Sequence, residues 1–275
     1  METISGYVQF LSRTVQPNTI RNYLSGVRTL HAFMGYQHQF SEDFHLQLLL
    51  RGIDRLHPHV TRRARPVTPD ILLQFHRLMD EHDSLHCSVW ACCLVLFFSI
   101  SRLGSVLPRS GSIKIFHTFL TRDRIRFCRE GLLITHVQTK TIQFGKRRLH
   151  IPLLRLHSAL CPVRAYQNLL YKVGTSSFVP AFVYVHKGRV TWLTRKVFIR
   201  TFRSVLRGHV RGHIDQFTGH SFRRGGATWA FRTGVPGELI QVAGDWASDA
   251  YKKYLEFDIS QKLELAALFC RGLPE

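Results

Sequence analysis

Acidic residues are scarce in this sequence. Its 275 residues include 38 lysines and arginines but only 18 aspartates and glutamates, which gives a formal net charge of +20. A folded surface with this excess attracts polyanions over long distances, and nucleic acid is the commonest polyanion in cells. The composition therefore favours a nucleic-acid partner over two alternatives, a merely basic soluble protein and a protein bound to acidic membrane.

Cysteine pairs are missing as well. The six cysteines form no CxxC motif, and Cys92 and Cys93 fall within an apolar run. This pattern argues against a disulfide framework or a zinc site and predicts buried free thiols in a reducing compartment. The N-terminal stretch METISGYVQF has no basic segment followed by a hydrophobic one, so we expect no secretory signal.

Internal repeats and low-complexity tracts are absent, and the one long apolar run is SLHCSVWACCLVLFFSIS at residues 84–101. This run is nearly long enough to span a bilayer. However, it carries His86 together with several Ser and Cys residues, and it ends directly at Arg102. We therefore predict a buried core helix and no membrane partner.

Apolar periodicity divides the chain into three parts. Residues 1–56 place apolar side chains at helical spacing, whereas residues 57–66 combine proline, arginine and histidine without any period. The first part predicts a helical domain and the second a basic linker. Residues 67–275 predict helices that resume near residue 161, after about three short antiparallel strands within residues 113–154. The predicted fold is mainly α with a small antiparallel β-sheet, which is an α+β class.

The stretch TGHSFRRGGATWAFRTG, residues 218–234, contains the most informative motif. His220 and Arg223 are three residues apart at a predicted helix start, where both side chains emerge from one side. Backbone N–H groups and the helix dipole favour an anion at such a place, and a guanidinium suits a phosphate. An HxxR motif alone is weak, because a surface His–Arg pair would look the same.

Four other residues strengthen this motif. Arg102 follows the apolar run, and Lys140 lies in a predicted turn between two strands. Trp246 comes 23 residues after Arg223, and Tyr254 comes 8 residues after Trp246. In their order and spacing, these residues and the HxxR motif resemble the tyrosine recombinase (integrase) family over nearly the whole chain. The stretches CPVRAY, HSFRRGGATWA and GDWASDAYKKYLEF are most similar to recombinases of eukaryotic mobile elements, of the Crypton and DIRS-like types.

This resemblance implies a mechanism of DNA strand transfer without metal or cofactor. Tyr254 would attack the scissile phosphorus and form a 3′-phosphotyrosyl link, which releases a 5′-hydroxyl. Because an ordinary tyrosine has a pKa of about 10, nearby cations must favour its phenolate and stabilise the transition state. Arg102 and Arg223 would hold the phosphate oxygens. His220 and Trp246 would donate hydrogen bonds, and Lys140 would protonate the leaving oxygen as general acid.

Two positions bear on the expected activity, Tyr251 and Ser105. Tyr251 lies only 5 residues after Trp246, whereas the family spacing is about nine, so Tyr254 is the expected nucleophile and Tyr251 is expected to pack beside it. Ser105 stands where the family often has Glu or Asp three residues after the first arginine, which puts full activity in question.

The resemblance also implies the domains and the partners. Residues 1–56 would be the core-binding domain, compact for the family and consistent with a shortened gene product, and residues 67–275 the catalytic domain. The partner would be double-stranded DNA, with Arg62, Arg63 and Arg65 on its phosphates. Arg224 could contact the DNA backbone or face solvent.

An amphipathic tail at residues 258–273 could join protomers into a homotetramer on DNA, or pack on its own domain. Residence in the nucleus is inferred from the substrate. Two other functions stay open: a catalytically silent DNA-binding protein derived from a mobile-element recombinase, and a relaxing enzyme of the type IB topoisomerase class.

Overall fold

The structure is a computed structural model in which two compact units can be described. By contacts within the chain the units are Met1–Arg62 and Arg63–Glu275. The described residues are 2–36, 42–57, 64–111, 118–139, 141–142, 147–174, 180–254 and 263.

The first unit consists of three helices in its described part, α1 (Glu2–Ser12), α2 (Pro17–Phe33) and α3 (Phe44–Leu56). Pro17 begins α2, where a missing N–H costs nothing, and the Asp43 side chain caps α3 by accepting from the Leu46 amide at 2.8 Å. The helices bury one small cluster formed by Val8, Leu11, Ile20, Leu24, Leu46, Leu50 and Ile53.

The apolar stripe on α2 is only partly buried. Ile20 and Leu24 lie in the small core, whereas Leu30 and Phe33 are exposed. The period of the sequence correctly predicted a helix, although it did not predict how much of the stripe the two neighbouring helices cover.

The second unit contains seven helices and two sheets in its described part. The helices are α4 (Pro69–Leu78), α5 (Ser84–Phe98), α6 (Leu103–Val106), α7 (Pro162–Val173), α8 (Arg195–Leu206), α9 (Gly219–Arg232) and α10 (Gly237–Ala243). Helix α5 is buried almost all round, with both Cys92 and Cys93 inaccessible. The prediction of a core helix is therefore correct. Among the described helices, none is long and apolar enough to cross a membrane.

A three-stranded antiparallel sheet confirms the strands predicted from the sequence. Strands β1 (Ile125–Phe127), β2 (Gly131–His136) and β3 (Leu149–Leu154) pair in chain order. Ile134 on β2 faces Ile151 on β3, and both are buried against the helices. Alternate residues on the other face remain in contact with solvent, as expected for an antiparallel sheet with one buried side.

A second sheet corrects the prediction that only helices follow residue 161. Strands β4 (Val183–His186) and β5 (Arg189–Trp192) form a hairpin, joined by Lys187 and Gly188 with φ of 49° and 73°. Two successive residues with positive φ are typical of the tight hairpin turn that matches strand twist. The sequence FVYVHKGRVTW carries this signal, with β-branched and aromatic residues around Lys-Gly.

Helix α9 packs against two stretches of backbone through its glycine pair. A Cβ on Gly225 would overlap the Val67 carbonyl, and a Cβ on Gly226 would overlap the Phe97 carbonyl at the end of α5. The Val67 amide also donates to the Ser221 carbonyl at 3.0 Å. The absence of side chains at these two positions therefore fixes α9, which carries the HxxR motif, in the middle of the second unit.

Candidate active site

Arg223 is the buried centre of the candidate site. Helix α9 begins with Thr218 as its cap, and the Thr218 and Ser221 side chains each bond the other residue's backbone N–H. From the second turn, Arg223 points inward and is 2% exposed. Its Nη1 donates to the Ile100 carbonyl at 2.8 Å and its Nη2 donates to the Gly244 carbonyl at 2.7 Å. These two bonds fix the orientation of the guanidinium plane.

Trp246 covers this guanidinium. The Arg223 Cζ atom lies 3.7 Å from the centroid of the indole, close enough for a cation–π interaction. The ring fits here because Gly244 has no side chain, since a Cβ on Gly244 would overlap the ring. The structure therefore brings together two of the predicted site residues that are 23 positions apart in the sequence.

Arg102 follows a strained turn that contacts Arg223. Ile100, whose carbonyl accepts from Arg223, has φ of 50°, a conformation that β-branched residues rarely adopt. Arg102 is half-buried and precedes the short helix α6, which packs against α9 because Gly219 leaves room for Leu103. The segment that carries Arg102 therefore contacts α9, the helix that carries Arg223.

His220 lies on the outer side of the helix start. Its side chain is exposed, and its amide donates to the Thr218 hydroxyl at 3.2 Å. Arg102 and His220 are therefore accessible from solvent, whereas Arg223 and Trp246 form the buried layer beneath. A phosphate approaching the start of α9 would meet cationic or hydrogen-bonding groups on both layers.

The two tyrosines differ in what the structure describes. Tyr251 is 5% exposed, its ring centroid lies 6.1 Å from that of Trp246, and its hydroxyl packs against Gly237. It is a packing residue of the cluster around Trp246. Tyr254 ends the 3-10 segment Asp249–Tyr254, and its side chain lies outside the described part of the chain.

Asp245 joins this site to the connection between β2 and β3. Its carboxylate accepts from the Thr139 hydroxyl at 3.0 Å, from the Thr141 hydroxyl and from Arg147. Burial acts to raise the pKa of Asp245, but these hydrogen bonds and the charge of Arg147 outweigh burial and lower it. Sequence reasoning missed Asp245, because nothing local in GDW indicates partners about a hundred residues away.

His136 links the end of β2 to the Arg102 segment. Its Nε2 lies 3.1 Å from the Ser101 hydroxyl, and the ring is 3% exposed. Burial lowers the pKa of His136 to about 4; Asp245 opposes this shift and Arg124 adds to it. The ring is therefore neutral near pH 7, and it ties β2 to the residue next to Arg102 without adding charge.

The remaining predicted residues fall in two groups. Lys140, Arg62 and Arg63 lie outside the described residues. Arg65 is half-buried, its guanidinium lies 5.3 Å from the Phe217 ring centroid, and its Nη1 donates to the Arg211 carbonyl. Arg224 is 5% exposed and donates to the Ala64 carbonyl at 3.3 Å, so it does not face solvent.

A basic groove on the outer face of the three-stranded sheet was not predicted. It has a volume of about 510 Å³, and its charged lining consists of Asp123, Arg124, Arg126, Arg147, Arg148 and His150. Alternation along the strands could have indicated part of it, because it places Arg126 of β1 and His150 of β3 on the solvent side of the sheet. Its cationic excess suits a phosphate backbone.

Solved structures of tyrosine recombinases have the same fold as this chain. A Tn1549 transposon integrase variant in complex with a circular intermediate DNA matches with a TM-score of 0.59 and 12% identity, covering 96% of this chain and 84% of that chain. XerH site-specific recombinase bound to difH substrate before cleavage matches with a TM-score of 0.55 and 11% identity, covering 96% and 69%. XerA recombinase matches with a TM-score of 0.50 and 17% identity over 100% of both chains.

The coverage differs between these structures. The post-cleavage complex of XerH matches at a TM-score of 0.50 and 15% identity over 74% of this chain, and the match spans only 52% of that chain. No protein-family model and no curated protein sequence matches this chain. The likeness is therefore one of fold, and the fold is that of tyrosine recombinases.

Proposed function

We propose that this protein cleaves and rejoins DNA strands at specific sites through a 3′-phosphotyrosyl intermediate. The observation that carries the proposal is the stacked pair of Arg223 and Trp246, held by the Ile100 and Gly244 carbonyls. The pair lies beside the segments of Arg102 and His220 within a tyrosine recombinase fold. A fixed guanidinium under an accessible helix start is suited to charge that develops on a phosphate.

In the proposed reaction, the Tyr254 oxygen forms a bond to the scissile phosphorus as the bond from phosphorus to the 5′-oxygen breaks. Arg102 and Arg223 hold the non-bridging oxygens, and His220 and Trp246 donate hydrogen bonds to them. Lys140 gives a proton to the leaving 5′-oxygen. The bond energy stays in the phosphotyrosyl ester, so another 5′-hydroxyl can attack it and join a new strand.

The proposed DNA path uses the basic groove of the sheet as well as the residues predicted from the sequence. Arg126, Arg148 and His150 are exposed in that groove and would contact phosphates. Arg62 and Arg63 would contact phosphates near the start of the second unit. Since Arg65 and Arg224 bond to backbone carbonyls, their part would be to hold the segment around Ala64 in place.

A catalytically silent DNA-binding protein is the second candidate. It is favoured by Ser105, which stands where the family often has an acidic residue and is only 7% exposed. The same cations would then grip DNA without strand transfer. The two functions differ in a single observable, a covalent bond between protein and DNA.

A library of nicked duplexes with a randomised centre tests the choice. Cleavage next to a nick releases a short strand that diffuses away, so a covalent adduct accumulates and can be recovered and sequenced. We expect an adduct that Tyr254→Phe abolishes and Tyr251→Phe retains, because Tyr251 is a packing residue. If the wild-type protein forms no adduct with any member, the silent DNA-binding function is the correct one.

We also propose four finer properties that rest on the resemblance. The chain belongs with the recombinases of eukaryotic mobile elements of the Crypton and DIRS-like types. It acts as a homotetramer on DNA, and it works in the nucleus, where that substrate is found. Residues 1–56 serve as the DNA-binding domain and residues 67–275 as the catalytic domain, with residues 57–66 as the linker.

A further inference from the structure

Asp245 connects two parts of the candidate site that are far apart in the sequence. On one side it directly precedes Trp246, the residue that stacks on Arg223. On the other side, its Oδ2 accepts from the hydroxyls of Thr139 and Thr141, 106 and 104 residues earlier in the chain. Its Oδ1 accepts from Arg147 in an ion pair. One carboxylate therefore collects three donors from the connection between β2 and β3.

Burying this carboxylate would destabilise the fold if no hydrogen-bond donors contacted it. Asp245 is 8% exposed, and a buried carboxylate destabilises a fold unless donors replace its lost water. Its φ of 54° is a conformation that few side chains tolerate, although Asp does so more readily than most. Burial and an unfavourable backbone conformation both cost stability at this residue. The three hydrogen bonds to its carboxylate offset that cost, so we interpret them as a specific feature of the site.

Thr139 also organises the turn itself. Its hydroxyl accepts from the amides of Thr141 at 3.2 Å and Ile142 at 3.0 Å, and its own amide donates to the Ile142 carbonyl at 3.0 Å. The same hydroxyl then donates to Asp245. The local turn and its attachment to Asp245 thus share one atom, so the turn cannot shift without breaking that contact.

We propose that Asp245 is a positioning residue that holds the Thr139–Thr141 turn against the Arg223–Trp246 pair. Lys140 is the residue between these two threonines in the sequence. The inference rests on the proposed function, in which Lys140 protonates the leaving 5′-oxygen. Asp245 makes and breaks no bond in that reaction; it holds the two threonines that flank the general acid in the sequence.

The charges around Asp245 come from more than its own loop. Arg147 pairs with Asp245 directly. Burial lowers the pKa of His136 to about 4, and the charge of Asp245 only partly opposes that shift, so the ring is neutral near pH 7. A role confined to stability, or to the Trp246 loop, would affect all steps of the reaction alike. A role in positioning Lys140 would affect only steps that need a proton on the leaving oxygen.

Substituting sulfur for the leaving 5′-oxygen distinguishes these roles. Thiols are far more acidic than alcohols, so a 5′-thiolate leaves without protonation and the general acid becomes dispensable. We would prepare the duplex recovered from the nicked library with either oxygen or sulfur at the scissile 5′ position. Each variant is then compared with the wild type on both substrates in single-turnover cleavage.

For Asp245→Asn we expect a loss of about 10- to 100-fold on the oxygen substrate, smaller than the roughly 100- to 10,000-fold that a general acid contributes, because the lysine is displaced and not removed. On the sulfur substrate the rate should stay within about threefold of the wild type, since no proton is needed there. Lys140→Ala should show the same pattern, and the double variant should be no slower than Lys140→Ala alone. Asp215→Asn is the matched control, because that side chain is 87% exposed and should affect neither rate.

The possible results separate the inference from the function on which it rests. An equal loss on both substrates, no loss on either, or additive losses in the double variant would each overturn the role of Asp245. A wild-type protein that forms no adduct would overturn the proposed function, and the inference with it.

A second variant covers the case in which Asp245→Asn does not fold. Thr139→Val combined with Thr141→Val removes two of the donors while leaving the carboxylate and Arg147 in place. This variant should also cleave the oxygen substrate more slowly than the wild type and cleave the sulfur substrate at nearly the wild-type rate. If this variant folds, as judged by tryptophan fluorescence, and cleaves both substrates at wild-type rates, the turn does not depend on Asp245 and the inference is wrong.

Discussion

The two compact units bury their apolar side chains to very different degrees. In the second unit, α5 is inaccessible on nearly every side. Phe202 stacks on Phe75 and meets Phe222 edge to face in one continuous core. In the first unit, Phe10 is 63% exposed and Phe33 is 87% exposed. A unit of this size has little interior to offer. The candidate active site lies in the unit whose interior can hold a buried arginine in one place.

The largest expected effect is in the core of the second unit. Phe202 is fully buried, and its ring centroid lies 4.9 Å from that of Phe222, so Phe202→Ala should cost about 3–5 kcal/mol of unfolding free energy. Tryptophan fluorescence during urea unfolding measures this loss, because all four tryptophans of the sequence lie after residue 63. Phe33→Ala in the first unit is the control and should leave the fluorescence midpoint unchanged.

Acid should destabilise the second unit through His136. Its pKa is about 4 in the fold against an ordinary value of 6.5, so the unfolded chain binds the extra proton between these values. The stabilisation is complete above about pH 6.5 and is lost towards pH 4, a change of about 3 kcal/mol. The lowered pKa of Asp245 adds stability that is fully present above its ordinary value of 3.8 and is lost only below that value, in a separate pH window.

Unfolding by urea between pH 7 and pH 4.5 measures this loss by fluorescence, and His136→Gln should flatten it. The described histidines of the first unit, His31, His45 and His57, are half-buried or exposed. If the unfolding free energy of His136→Gln falls with pH as steeply as that of the wild type, another group causes the pH dependence.

The smallest expected effect is in the core of the first unit. Ile20→Val removes one buried methylene from that cluster and should cost about 0.5–1.5 kcal/mol. Because the first unit has no tryptophan, the change should appear in the helical circular dichroism signal and leave the fluorescence midpoint in place. Equal shifts of both signals would mean that the two units unfold as one, which would remove the contrast between them.

Local patterns predicted most of the fold. The helical periods of the first unit and the strands β1 to β3 are where the sequence indicated them, because each depends on residues close in the chain. The β4–β5 hairpin was missed although HKGR contains its turn, because the surrounding residues were interpreted as part of a helical run. Helical and strand patterns lie next to each other in this part of the sequence, and the packing of β4 against α5 favours the strands.

The sequence selected residues for the candidate site, but it did not indicate the contacts that the described ones make. Order and spacing selected Arg223 and Trp246, but nothing in the sequence indicates that one covers the other or that two backbone carbonyls fix the guanidinium. The partners of Asp245 are about a hundred residues away, and no local period reports such a pair. These contacts follow from how α9 is packed between two backbone segments.

The bare α-carbon at Gly244 has a consequence for recognising related chains. The indole of Trp246 occupies the space that a Cβ on residue 244 would need. The residue types at positions 244 and 246 therefore depend on each other. A chain with a larger residue at the first position should carry a smaller ring, or none, at the second. Sequences that share this arrangement are therefore better sought by the paired Gly and Trp than by either residue alone.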